Sequence, residues 1–154
     1  MNLFGVMDIS ASALQAERVR AEVVAANMAN AESTRTAKGG PYQRRHVVFQ
    51  ESGGDGFARS LLSSDRSENN NGLGSSTVSG GVDVAAVLSD QSAPLERYDP
   101  QHPDARPDGY VAYPDINPLT EMVDLMGATR SYGLNATAVQ AEKSMVMSSL
   151  EILK

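Results

Sequence analysis

A long run of apolar residues at helical spacing closes the chain and limits what the chain can fold into. From Met122 onward, steps of three and four residues select ten positions, and only one of them is charged. The positions are Met122, Leu125, Thr129, Tyr132, Ala136, Val139, Lys143, Val146, Leu150 and Leu153. This heptad spacing predicts a C-terminal helix whose apolar seam packs against another helix.

The same helix has very little charge outside the seam. Between Leu125 and Ala141, Arg130 is the only charged residue. A helix on an ordinary globular surface keeps a charged face toward water, so we expect this helix to be covered on more than one side. Isolated helices are marginal in water, and Gly127 and Gly133 each weaken this one by up to about 1 kcal/mol relative to alanine. The helix therefore needs partners.

Composition excludes several classes of protein. The 154 residues suit one ordinary domain, while the 5% aromatic content without tryptophan argues against a large compact core. A net charge of -6 offers no electrostatic basis for nucleic-acid binding, and the absence of cysteine excludes disulfides and thiolate metal sites. We expect no membrane span and no cleavable secretory signal, because no long apolar run and no basic N-terminal region occur.

A second helix is predicted near the N-terminus, with Asp8 or Ser10 as its cap. Its charge disappears over residues 23–31, as in the C-terminal run. Pairing of the two helices, with further contacts to neighbouring chains, is favoured over packing onto the rest of its own domain. Asn27 and Asn30 lie near the end of this helix, and two interpretations stay open: helix capping, or amide hydrogen bonds between subunits.

The middle of the chain has strand-like and loop-like composition. Strands are predicted at residues 41–51, 82–90, 95–99 and 109–113. Within the first, Arg44, Arg45 and His46 form a short basic patch, which is interpreted as a solvated face. Of the 30 residues from 52 to 81, 18 are Gly, Ser or Asn, which predicts a flexible loop that could hold a short strand at 57–62. The expected fold is mainly α with a small β part. Residues 1–34 and 115–154 would form one discontinuous helical domain as a coiled coil, with residues 35–114 inserted as a β-rich module.

The sequence gives little sign of catalytic chemistry. One cluster has residues of the kind that ligate divalent metals: Asp99, His102, Asp104 and Asp108. Three prolines interrupt it and no recognised ligand spacing is present, so a structural turn is favoured over a metal site. Glu121 and Asp124 are explained as acids near a helix N-terminus. We expect neither an enzyme nor a bound cofactor.

Several segments together resemble a known family. Residues 98–117, 121–136 and 142–154 are similar to the FlgC family of flagellar basal-body rod proteins, and residues 7–34 and 40–51 fit it too. The specific part is HPDA…GYVAYP followed by EMVDLM…RSY…N, whereas AN-x-AN is shared more widely among flagellar rod and hook proteins. Departures from the family are Gly133, the long 52–81 loop and Pro118, which we expect to mark the first turn of the C-terminal helix, where proline is tolerated.

The resemblance implies a structural subunit of the proximal rod, the periplasmic drive shaft between motor and hook. Such subunits are exported unfolded by the flagellar type III apparatus, and their terminal helices pack around a central channel and transmit torque. Implied partners are further copies, other rod proteins and the export apparatus, with the surrounding rings as a further candidate. Two alternatives remain: another axial component of rod or hook, and a periplasmic metal- or ligand-binding β module.

Structural or inter-subunit roles are expected for two groups of residues. By position, the resemblance assigns such roles to Asn27, Asn30, His102, Pro103, Asp104, Tyr110, Tyr132 and Asn135. The helical patterns and the charge-poor stretch add Val23, Met122, Leu125, Arg130, Val139, Val146, Leu150 and Leu153.

Overall fold

A computed structural model of the chain describes residues 3–37, 39–52 and 80–152. Within these residues the elements follow in the order α1 (Leu3–Ala29), β1 (Arg45–Ser52), β2 (Gly81–Ser89), β3 (Leu95–Tyr98), β4 (Tyr110–Tyr113) and α2 (Pro118–Ile152). Two long helices therefore flank a small β part, which confirms the predicted mainly α architecture. The expected short strand at 57–62, nearly all of the flexible loop, and Leu153 lie outside the described residues.

The helix α1 starts earlier than the sequence predicted. It begins at Leu3, so the prediction of a cap at Asp8 or Ser10 is wrong. Ser10 is buried on the inner side of the helix, and Asp8 is an exposed residue within the helix. The cap prediction failed because the helix extends past both positions toward the N-terminus, as far as Leu3.

The start of α2 agrees with the sequence prediction. Pro118 is the first helical residue, where its missing N–H costs nothing. Asn117 precedes it, and its side-chain Oδ1 accepts a 3.0 Å hydrogen bond from the Leu119 N–H. The pair Asn117–Pro118 thus fixes where the helix begins.

The two helices pack against each other and run antiparallel. Asn27, near the end of α1, bonds to Glu121 in the first turns of α2. Arg20, two turns earlier in α1, lies 3.8 Å from Asp124. Within the described residues, neither helix carries an apolar stretch of the kind that could cross a bilayer.

The β part consists of two antiparallel pairs. β1 pairs with β2, with an irregularity between Val48 and Phe49, and β3 pairs with β4. β2 is tied to α1, because the Val82 N–H donates a 3.0 Å hydrogen bond to the Ser12 hydroxyl. The first strand begins at Arg45 rather than at residue 41. Pro41 has no N–H, and the Tyr42 N–H instead bonds to the Ser33 carbonyl.

The core is small and lies where the two helices meet each other and the β part. Its buried apolar residues are Ala16, Val24, Val111, Ile116 and Ala128. Buried polar residues nearly match them in number: Ser10, Asn27, Glu121 and Glu142. Of these, Asn27 and Glu121 are hydrogen-bonded to each other, whereas Glu142 Oε2 has no hydrogen-bond partner within the described residues.

The buried residues of α2 that face α1 lie one position before half of the predicted seam positions. Glu121, Ala128 and Glu142 are buried and recur at multiples of seven residues. The predicted positions next to them, Met122 and Lys143, are exposed. Thr129 and Leu150 are exposed as well, whereas Ala136 on the same line is half-buried, so most of this line does not face α1 in the single chain. The predicted line started from a large apolar side chain, Met122, whereas a hydrogen-bonded glutamate, Glu121, and a small alanine, Ala128, lie on the inner side.

The other line of the seam has its predicted orientation. Leu125, Val139 and Val146 are half-buried on the side of α2 that faces inward. Tyr132, on the same line, is 45% exposed. The inner side of α2 therefore combines this line with the one that holds Ala128.

Candidate assembly surface and the buried polar junction

The Asn27 side chain joins α1 to the entry of β1 and to α2. Its Nδ2 donates to the Arg45 carbonyl at 2.8 Å and to Glu121 Oε2 at 3.0 Å. Its Oδ1 accepts hydrogen bonds from the Arg45 N–H at 2.9 Å and from the Tyr42 hydroxyl at 3.2 Å. Two donated and two accepted bonds use the full capacity of an amide. Asn27 is therefore engaged within its own chain.

Glu121 is a buried carboxylate held by an arginine. The Arg44 guanidinium donates to Glu121 Oε1 through Nε at 2.7 Å and approaches the same oxygen through Nη2 at 2.6 Å. Asn27 bonds to the other carboxylate oxygen, Oε2. Both Asn27 and Glu121 are only 1% exposed. A charge buried this deeply requires such partners, because an unpaired carboxylate would be strongly destabilising there.

The cluster of Asn27, Arg44 and Glu121 is called the junction below, and an outer ring of charges surrounds it. Arg44 also lies 3.6 Å from Asp124, and Arg20 bridges Asp124 at 3.8 Å and Glu17 at 3.9 Å. These distances are longer, and the groups are partly exposed, so each outer pair contributes little. The outer ring nevertheless connects α1, the segment before β1, and α2 on one side of the molecule.

Asn30 differs from Asn27, because it has the role of a helix cap. α1 ends at Ala29, and the Asn30 Nδ2 donates to the Ala26 carbonyl at 2.8 Å. Asn30 Oδ1 accepts a 3.1 Å hydrogen bond from the Ser33 hydroxyl. In α2, Asn135 likewise donates to the backbone, to the Ser131 carbonyl at 2.9 Å. The capping interpretation of the sequence thus holds for Asn30.

The segment between β3 and β4 is a turn held by its own side chains. The Asp104 N–H donates to His102 Nδ1 at 3.1 Å. Asp104 Oδ2 accepts a 2.8 Å hydrogen bond from the Thr34 hydroxyl, and Oδ1 lies 3.7 Å from Arg35. His102 also stacks edge-on against Tyr113, with ring centroids 6.1 Å apart. These contacts attach the turn to the chain just after α1.

The proposed metal ligands of this turn do not converge. Across residues 3–37, 39–52 and 80–152, no three histidine or carboxylate side chains come together as a metal site would require. His102 and Asp104 already have hydrogen-bond partners in the turn. Pro103, beside them, is exposed. The contacts favour the structural interpretation of the cluster.

The side of α2 turned away from α1 is apolar. Its exposed residues are Leu119, Met122, Val123, Met126, Met147 and Leu150, together called the outer face. Met126 and Met147 each follow a buried glutamate, Glu121 and Glu142, by five residues, which places them about 140° around the helix from the inner side. Arg130 and Gly133 lie on the same face between the two apolar groups. Polar residues such as Thr129, Gln140 and Lys143 also lie between these groups, so the face carries two separate apolar patches, of the kind that mark contacts with other proteins.

A cleft of about 590 Å³ lies beside the junction. Its lining includes Tyr42, Arg44 and Asp90, with prolines at 94 and 114. A hydrogen bond from the Ser92 hydroxyl, assisted by one from the Ser92 N–H, lowers the pKa of the Asp90 carboxyl below its usual value. The charged groups of Arg44 and Asp90 are thus engaged by neighbouring residues of the chain.

The remaining predicted site residues fall into two environments. Val23 is half-buried on α1, whereas Arg130 and Tyr132 are exposed on α2. Tyr110 is exposed on β4 and packs edge-on against Tyr98 at 5.4 Å. Leu153 lies outside the described residues.

Sequence reasoning missed the most connected residues of the junction. Glu121 was assigned to the helix dipole, and Arg44 to a solvated basic patch. Tyr42 was assigned to a strand. One signal could have identified Glu121. It is an acidic residue in the first turn of the helix, and the two residues that follow it, Met122 and Val123, are apolar.

Comparison with known proteins places both ends of the chain in flagellar families. Residues 7–38 match the family model described as flagella basal body rod protein, and residues 108–152 match the C-terminal model of flagellar basal body rod FlgEFG proteins. The chain is 44% identical to the flagellar basal-body rod protein FlgC of Bacillus subtilis, with all of both chains covered.

More distant relatives carry the same description. The chain is 35% identical to FlgC of Borreliella burgdorferi, covering 100% of this chain and 99% of that protein. It is also 35% identical to FlgC of Salmonella typhimurium, covering 99% and 98% respectively. The matches run through the helices, the junction and the turn alike, because they span nearly the whole chain.

Proposed function

The chain belongs to the FlgC family of flagellar basal-body rod proteins, and we propose that it builds the proximal rod through its two terminal helices. As a member of this family it is a structural subunit of the flagellar rod, required for motility, and not an enzyme. The proposal concerns how it assembles: copies and other rod proteins would surround a central export channel and transmit torque.

The outer face is the observation that carries the proposal. Leu119, Met122, Val123 and Met126 expose a continuous apolar surface over the first turns of α2, and Met147 and Leu150 form a second apolar group near the end. In the isolated chain this surface contacts water, at a cost of roughly 25 cal/mol per Å² of apolar area. Neighbouring subunits would remove it from water, so assembly is favoured.

Within one subunit, we propose that α1 and α2 form a short antiparallel coiled coil. The seven-residue spacing of Glu121, Ala128, Asn135 and Glu142 on the inner side supports this arrangement. Ala128 would allow close approach of the helices, while the junction would fix their register at one end. Fixed register matters in a shaft, because a helix pair that slips cannot transmit torque.

We further propose the division into a helical domain, residues 1–34 and 115–154, and an inserted β module, residues 35–114. The junction supports this division, since Arg44 and Tyr42 contact the helices just before β1 begins. The turn at 99–109 adds a second attachment through Thr34 and Asp104. Two attachments would let the β module move with the helices as one body.

The proposed location is the rod in the periplasm, reached in unfolded form through the flagellar type III apparatus. Its partners would be further copies, other rod proteins and, at the outside, the surrounding rings. The small core supports passage in unfolded form, because few large side chains must be exposed to unfold the chain.

Isolated basal bodies test the proposal directly. A strain carrying an epitope-tagged copy of the chain should show the tag in purified rods that lack a hook, together with other rod proteins. Deletion of the gene should leave a motor without a rod. Recovery of the tag only in hooks would contradict assignment to the proximal rod.

A further inference from the structure

Three methionines share the outer face of α2. Met122, Met126 and Met147 are 51%, 62% and 56% exposed. The methionines of α1, Met7 and Met28, are half-buried. The thioether of an exposed methionine is open to oxidants, and its oxidation disrupts methionine-rich interfaces.

We propose that oxidation of Met122, Met126 and Met147 to methionine sulfoxide prevents a subunit from entering the rod. The inference rests on the proposed function, because it requires a neighbouring subunit to cover the outer face. The oxidant is a peroxide of the kind released during oxidative stress. The subunit would be vulnerable before assembly and protected after it.

The chemical step is a transfer of one oxygen atom. The sulfur lone pair attacks one oxygen of hydrogen peroxide, the O–O bond breaks, and water leaves after proton transfer. The thioether is oxidised to the sulfoxide while the peroxide is reduced. Methionine sulfoxide reductases reverse the change, so an oxidised subunit could become competent again.

The surroundings of the three sulfur atoms make the change costly for assembly. A sulfoxide oxygen is a strong hydrogen-bond acceptor. Around Met122 the neighbours on the face, Leu119 and Val123, have no side-chain donor, whereas Arg130 and Lys143 lie one turn from Met126 and Met147. Burying the sulfoxide against an apolar partner would leave it unsatisfied. We therefore expect the sulfoxide at Met122 to weaken the contact about tenfold, and those at Met126 and Met147 to weaken it less.

Met145 provides a matched control. It is also 56% exposed, but it follows the buried Glu142 by three residues and so lies on another side of α2 from Met126 and Met147. Its oxidation should occur at a similar rate and leave incorporation unaffected. Any general effect of peroxide on the helix would appear at both sets of positions.

The test uses cells that regrow flagella during a sublethal hydrogen peroxide pulse. One strain carries the natural chain and the other carries Met122→Leu, Met126→Leu and Met147→Leu together. Basal bodies and the unassembled pool are separated and mapped by peptide mass spectrometry. Sulfoxide at the three positions should be several-fold depleted in basal bodies relative to the pool, and sulfoxide at Met145 should not.

Incorporation of the leucine variant should be less sensitive to peroxide than that of the natural chain. Equal sulfoxide content in rods and pool at the three positions, or equal sensitivity of the two strains, would overturn the inference. Untreated samples separate it from the proposed function: if the untreated natural chain is missing from basal bodies, the proposed function itself has failed.

Discussion

Asn27 of α1 donates a 3.0 Å hydrogen bond to Glu121 of α2, although the two residues are 94 positions apart in the chain. The bond crosses the contact between the helices at a point where both side chains are almost fully buried. Arg44 holds the opposite oxygen of the same carboxylate. The junction therefore sets how the two helices and the β part lie relative to one another.

Loss of the junction should destabilise the isolated chain. Asn27→Leu removes four hydrogen bonds and leaves the buried Glu121 carboxylate with Arg44 alone, so we expect a loss of about 2–4 kcal/mol in the free energy of unfolding. Urea denaturation followed by circular dichroism measures it. Arg18→Ala is the control, because its pair with Glu22 is exposed and should contribute under about 1 kcal/mol. Equal losses in the two variants would contradict a structural role for the junction.

Gly109 is expected to be required for the turn between β3 and β4. Its φ of +79° is unfavourable for other residues, and an added Cβ would lie 2.7 Å from the Tyr98 ring. Gly109→Ala should therefore displace Tyr98 from Tyr110. Gly40→Ala is a matched control, since Gly40 has a φ of +76° and no atom within 4 Å of an added Cβ.

Both glycines have a positive φ, so both variants strain the backbone. The difference in unfolding free energy between them therefore measures the clash with Tyr98 alone. We expect Gly109→Ala to lower the free energy of unfolding by about 1 kcal/mol more than Gly40→Ala does, roughly the contribution of one aromatic pair. The Tyr98 and Tyr110 ring resonances in NMR spectra should shift only in the first variant. Unchanged rings in Gly109→Ala would contradict the prediction.

Gly133 should affect stability and assembly in opposite directions. An alanine Cβ there meets no atom within 4 Å, so Gly133→Ala should stabilise α2 by up to about 1 kcal/mol. On the outer face, however, the extra methyl group would hold a neighbouring helix away. Reduced swimming with a raised melting temperature is the expected combination.

Gly127→Ala serves as the comparison for that variant. Gly127 also has open space around it, but it follows Met126 and lies at the margin of the outer face. Gly127→Ala should stabilise α2 by about as much as Gly133→Ala does, and it should reduce swimming less. Equal swimming in both variants would argue against close helix packing at Gly133.

Aspartate substitutions should separate the two sides of α2. Leu150→Asp alters an exposed side chain, so we expect nearly unchanged stability of the isolated chain and loss of incorporation into rods. Val139→Asp alters a half-buried inner position, so it should lower stability by about 1–3 kcal/mol as well. Normal motility of the Leu150→Asp strain would contradict a role of the outer face in rod assembly.

Element types could be predicted from the sequence because their signals are local. Helical spacing marked α2, Pro118 marked its start, and alternation with turn residues marked the strands. The start of α1 was missed, because Asp8 and Ser10 resemble caps while the helix continues through them. Local preference alone does not separate a capping serine from a buried helical one.

The junction could not be predicted, because its bonds depend on tertiary placement. Asn27 and Glu121 become neighbours only when the helices pack, and Arg44 reaches them from a segment whose composition suggested a solvated patch. Half of the seam lies outward in the single chain for a related reason: an apolar side chain such as Met122 is placed outward when the partner it requires is another molecule.

The central claim is that the outer face of α2 is covered by neighbouring subunits in the rod. A density map of the intact basal body at side-chain resolution tests it most directly. In that map, we expect Leu119, Met122, Met126 and Leu150 to contact a second copy of the chain or another rod protein. A map in which this face of α2 borders solvent along residues 118–152 would contradict it.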